Sequence, residues 1–187
     1  MPGLTVVTKA LAKRLPFLFL LVPGLGVAQM AIEKRVDRTL VELVDAMPKP
    51  LPQSAVTVED SLGVPLRVTS EDAYGAIYVS QPFITSDGYK VRKVELRTMP
   101  VIPSPKQKGV GAILIIDLDL ETCVPEDTLK EKFGMTRLGD PVADDPGLSS
   151  WEAVVPWGTF GLSVRTLLGG KRCVDAVVIN NSTKAAR

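Results

Sequence analysis

From Ala31 onward the chain alternates between helical and strand-like spacing of its apolar residues. Residues 31–46 (AIEKRVDRTLVELVDA) set Ile32, Val36, Leu40, Leu43 and Val44 on one stripe with charges opposite, the spacing of an amphipathic helix. Pro48, Pro50 and Pro52 end that pattern and predict a stiff linker. Beyond it the same order of signals occurs twice. TVEDSLG (57–63) and VPEDTLKEKFG (124–134) each carry a Glu-Asp pair, expected at the start of a short helix, and a Gly, expected at its end. Leu62, Leu129 and Phe133 are expected to face the core.

Strand patterns follow each helix. AIYVSQPFI (76–84) and YKVRKVELRTM (89–99) flank Thr85-Ser86-Asp87-Gly88, and an Asp-Gly pair between such segments predicts a hairpin. AILIIDLDL (112–120) is apolar enough for a central strand, and PVIPSPKQKG (100–109) before it reads as a basic, Pro-rich loop. In the second half, WEAVVPW (151–157) and FGLSVRTL (160–167) surround Gly158-Thr159, and Gly169-Gly170 turns the chain into CVDAVVI (173–179). The expected fold is α+β: an antiparallel sheet with helices packed on one face, built as a tandem helix-plus-hairpin repeat. Its halves fall at about 54–120 and 121–181 of one domain, and residues 182–187 are expected to fray.

The first residues change the picture of where the protein works. Lys9, Lys13 and Arg14 precede an apolar run, Leu15 to Val27, that is broken by Pro23, Gly24 and Gly26 and followed by Ala28. A positive region, a short apolar stretch, a helix breaker and small residues read as a signal peptide over 1–28, leaving 29–53 as the N-terminal helix and linker. The alternative is an uncleaved anchor, for which the run is short. Cys123 and Cys173 are the two cysteines. In an exported chain they are expected to form a disulfide; two buried thiols are the alternative. The expected location is periplasmic or secreted, with no membrane anchor once the leader is cleaved.

Composition narrows the chemistry. Of 187 residues, 22 are Lys or Arg and 21 are Asp or Glu, so no basic excess favours a nucleic-acid partner. There is no histidine. That removes the commonest general base and metal ligand and excludes Ser-His-Asp and Cys-His chemistry. No Gly-rich phosphate loop precedes a helix, and neither a cofactor nor a metal site is expected. Asp117 and Asp119 lie two apart on one strand; a carboxylate pair for acid/base work is one reading and a solvated strand face the other. The acidic turn-rich loop 139–147 holds Asp144 and Asp145, which suit a basic partner surface. Trp151 and Trp157 serve equally as core residues or as interface anchors.

The unit of Glu59-Asp60-Ser61-Leu62-Gly63 with Tyr74 and Tyr78, answered by Glu126-Asp127-Thr128-Leu129 with Phe133-Gly134, Trp151 and Trp157, resembles in pattern the β-lactamase-inhibitor-protein fold. Relatives of that fold include small outer-membrane assembly lipoproteins. The likeness covers about residues 57–179; the N-terminal helix and the 100–109 loop depart from the inhibitor pattern, and no lipid-attachment cysteine matches the lipoproteins. The resemblance implies a protein that binds other proteins with the concave face of its sheet. The expectation is therefore an exported inhibitor, not an enzyme, acting on an envelope enzyme as an immunity protein does against a secreted toxin. Its expected contacts are Tyr78, Tyr89, Asp144, Asp145, Trp151 and Trp157. The alternatives are an assembly module of the envelope and a histidine-free hydrolase.

Overall fold

Strand-forming sequence dominates, and most of it closes into one sheet. The computed structural model describes residues 34–52, 54–99, 111–137, 145 and 147–181. The expected leader over 1–28, the 100–109 loop, Asp144 and the tail 182–187 lie outside these residues. In chain order the elements are β1 (Lys34–Arg35), α1 (Leu40–Asp45), α2 (Ala55–Leu62), β2 (Leu66–Asp72), β3 (Gly75–Ser80), β4 (Phe83–Ile84), β5 (Lys90–Thr98) and β6 (Ala112–Leu118). There follow β7 (Val124–Pro125), α3 (Glu126–Lys130), β8 (Thr136–Arg137), β9 (Leu148–Val155), β10 (Gly158–Thr166) and β11 (Arg172–Asn180). Across the sheet the order is β2, β3, β5, β6, β11, β10, β9, β8; β4 also pairs with β5, and β7 pairs the start of β11. Every pairing is antiparallel except β1 with β4.

The fold class expected from the sequence is the one observed. Among the described residues helices cover one face only: Leu40, Leu43 and Val44 of α1, Val58 and Leu62 of α2 and Leu129 of α3 form one buried cluster with Leu96, Leu114, Ile116, Val177, Ile179, Phe160 and Leu162 of the sheet. Covering each such side chain contributes about 1.5–3 kcal/mol, which offsets the entropy lost on ordering the strands. The repeat is visible in the strands. β2-β3-β5 and β9-β10-β11 are each a three-strand antiparallel run, and β6 joins the two runs between β5 and β11. Each begins its middle strand with an aromatic-Gly pair, Tyr74-Gly75 and Trp157-Gly158.

Those two glycines are required. Gly75 has φ +147°, and a Cβ there would lie 1.9 Å from the Thr98 carbonyl oxygen; at Gly158, φ +156°, it would lie 2.0 Å from that of Asn180. Gly158→Ala is therefore expected to cost roughly 2 kcal/mol, seen as a lower urea midpoint with an unchanged slope. An unchanged midpoint would show that the neighbouring strand yields freely.

Three expectations need correction. The stripe 31–46 is not one helix. Lys34–Arg35 is a strand, the Val36 amide bonds the Ile84 carbonyl, and the helix starts only after Thr39. Thr39 and Glu42 form a reciprocal capping box: the Thr39 amide donates to Glu42 at 2.9 Å and the Glu42 amide to Thr39 Oγ1 at 3.2 Å. The cap outcompetes a longer helix, yet Val36, Leu40, Leu43 and Val44 are all buried, as the stripe requires. Second, Glu59-Asp60 does not open a helix, because α2 starts at Ala55; Glu59 instead accepts the Leu66 amide at 2.6 Å. Third, α3 ends at Lys130 with Glu131 as its cap, short of the expected Gly134; β2, in addition, goes unread because only Leu66 among its residues is buried.

The Pro-rich segment is stitched to the far end of the chain. Leu51 is buried, its amide donates to Asn181 Oδ1 at 2.8 Å, and Asn181 Nδ2 returns a bond to its carbonyl at 2.7 Å. Cys123 and Cys173 form a disulfide across 50 positions, beside the pairing of Cys173 with Pro125. No helix among the described residues is long and apolar enough to cross a membrane.

Candidate functional site

The face of the sheet without helices is where this chain presents a surface. Side chains of directly opposed residues share a face. One row crosses the strands as Val79, Glu95, Ile115, Val178, Gly161 and Glu152. The row beside it reads Ile77, Arg97, Ile113, Asn180, Thr159 and Val154, and the row on the other side reads Lys93, Asp117, Ala176, Ser163 and Ser150. Ile77, Val79, Ile113, Ile115 and Val178 are half-buried, and Val154 is 80% exposed. The middle of the face is thus an aliphatic strip, with glycine, alanine and serine beside it on β10 and β11.

Fixed charges rim the strip. Glu95 is only 7% exposed because Lys93 Nζ at 2.8 Å and Arg97 Nε at 2.5 Å close over it. The hydrogen bond from Lys93, and then that from Arg97, holds the Glu95 carboxyl below the usual range despite burial. The bond to Glu95 likewise pushes the Lys93 ammonium up. Lys93 also reaches Asp117 at 3.4 Å. A chain of pairs joins Arg92 to Asp175 at 3.2 Å, Asp175 to Arg165 at 3.5 Å and Arg165 to Asp145 at 2.9 Å.

A second cluster ties α3 to β11. Arg172 donates from Nε to Glu126 Oε1 at 2.8 Å and from Nη2 to Oε2 at 3.0 Å, and Nη2 also meets Ser149 Oγ at 2.8 Å. The Trp151 indole N–H donates to Glu126 Oε2 at 3.0 Å, and Lys130 Nζ lies 4.5 Å over the Trp151 ring. The bonds from Arg172 and Trp151 hold Glu126 below its ordinary range.

The residues expected to bind a partner are spread over the fold. Tyr78, Tyr89, Trp151 and Trp157 pack against the core cluster on the helix side. Tyr78 on β3 and Trp151 on β9 stand five strand positions apart, roughly 24 Å. Asp145 is engaged by Arg165. Asp117 is paired with Lys93, whereas Asp119 caps the 3-10 turn Leu120–Thr122 through the Glu121 amide at 2.8 Å, so the two carboxylates serve separate partners. Among the described residues no three His, Cys, Asp or Glu gather as metal ligands.

Compared with family models, curated proteins and solved structures, the chain matches none. The reading of its surface therefore stands on its own geometry. Sequence reasoning missed Ile113, Ile115 and Val178 as surface residues. The signal was there in AILII, which is apolar on both faces although helices cover only one.

Proposed function

We propose that this is an exported protein-binding protein that neutralises an envelope-acting enzyme, most simply as immunity against a secreted toxin, and that it does so with the helix-free face of its sheet. The observation that carries the proposal is the aliphatic strip of Ile113, Ile115 and Val178 across that face, with Ile77 and Val79 alongside. Interfaces take their affinity from a desolvated apolar centre inside a polar rim. Here the rim is already ordered by the pairs Lys93–Glu95–Arg97 and Arg92–Asp175–Arg165. A pre-organised surface loses little entropy on binding. The disulfide suits an oxidising compartment, and the pattern likeness to inhibitor proteins points the same way. Inhibition would be steric: a rigid sheet covers the cleft and takes no part in bond making.

The test uses as probes purified envelope-acting hydrolases, beginning with any secreted wall-degrading enzyme found in the neighbouring genes. Ile115→Arg, made on the face and away from the helix-side core, is expected to weaken the complex at least about 100-fold by calorimetry while the circular dichroism spectrum is kept. Unchanged affinity would remove the face from the interface, and no complex with the unaltered protein would remove the inhibitor reading itself.

A further inference from the structure

We propose that the outer edge of β2 is a pairing surface for a second copy of this chain. β2 ends the sheet: it bonds β3 on one side, and Arg67 through Asp72 are all exposed. An open strand edge offers unpaired backbone donors and acceptors to another strand. Val68 is 53% exposed on the same strand. Arg67, Glu71 and Asp72 have no ion-pair partner among the described residues, in contrast to the paired charges of the helix-free face.

Arg67 and Asp72 of β2 are self-complementary across a two-fold axis. Leu66, Arg67 and Val68 stand opposite Ser80, Val79 and Tyr78; Thr69 is then an extra residue, and Ser70, Glu71 and Asp72 stand opposite Ile77, Ala76 and Gly75. Arg67, Ser70 and Asp72 therefore share the helix-free side, and Val68 and Glu71 the helix side. A second copy laid antiparallel about a two-fold axis between Thr69 and Ser70 sets Arg67 against the second copy's Asp72. It sets Val68 against the second copy's Glu71. Opposed residues keep their face only because of Thr69, since in a regular strand positions 67 and 72 point to opposite faces. A bulge ordinarily spoils edge pairing; here it falls on the symmetry axis, where both copies carry it. The contact is isologous and closes at two copies. Its six exposed residues span roughly 20 Å, too little for a tight dimer, so association should depend on concentration.

The full chain, expressed with its own leader and purified as the cells leave it, is examined by sedimentation velocity from about 5 to about 500 µM. The expected result is a reversible monomer–dimer equilibrium. Arg67→Asp and Asp72→Arg each set like charges face to face and should weaken self-association at least tenfold. An equimolar mixture of the two variants matches both pairs again and should recover the dimer. A monomer at every concentration overturns the proposal, as does a dimer untouched by both variants or a mixture that fails to recover it. If Asp72→Arg, which loses the bond from the Tyr74 amide, does not fold, the unaltered chain and Arg67→Asp decide the matter.

Discussion

Replacing Cys123 and Cys173 together by serine is expected to lower the unfolding free energy by about 4 kcal/mol and the melting temperature by roughly 10–15 °C. The bond closes a loop of 50 positions, and the chain-entropy account of that length gives the figure. Its position argues for the full value. Cys173 is fully buried in β11, next to the pairing of Cys173 and Val174 with Pro125 and Val124. Without the covalent link the entrance of α3 is held to the sheet by these two pairings, by Glu126 and by the burial of Val124 and Leu129. Thermal unfolding of the double variant, compared with the parent under oxidising conditions, measures the effect. A shift under about 3 °C would mean that the reduced denatured chain keeps the two segments together.

The second large effect is expected at Arg172. Arg172→Met removes three hydrogen bonds and leaves Glu126, whose side chain is 15% exposed, as a carboxylate held only by the Trp151 indole and the nearby Lys130. Unpaired buried charge costs several kcal/mol; Arg172 is 36% exposed, and solvent screening reduces this to roughly 3 kcal/mol at neutral pH. The pH dependence follows from the direction of the shift. Glu126 is held below its unfolded value by Arg172, so its contribution is complete above that value and fades as pH falls through the folded one. As pH falls below about 4 the gap between the parent and Arg172→Met should therefore narrow. A gap that persists undiminished to pH 2 would assign the loss to packing of the arginine stem. Glu95, held down by Lys93 and Arg97, adds to acid sensitivity with the same sign.

What the sequence made legible was the set of signals that are local. Gly63 takes a left-handed cap with φ 71°, Thr85 to Tyr89 closes the expected hairpin, and β6, β9, β10 and β11 lie where alternation or apolar runs placed them. What was not legible depended on distant partners. β1 forms because β4 offers an edge, and β2 is polar because among the described residues nothing covers it beyond Leu66. The same cause separates the aromatic residues from the candidate site. Composition shows that Trp151 and Trp157 are few and large, but only the sheet order shows that both pack toward the core. The surface residues that do stand out, Ile113, Ile115 and Val178, are ordinary aliphatics. They become informative once one face of β6 and β11 is known to lack a helix.

The place of β11 has a consequence for synthesis. β11 is the last strand among the described residues, yet it sits between β6 and β10 at the centre of the sheet. A ribosome that stops before Arg172 would leave the run from Ala112 to Leu118, apolar along most of both sides, with a bare flank. Such fragments should clump or be degraded rather than persist as a smaller working protein.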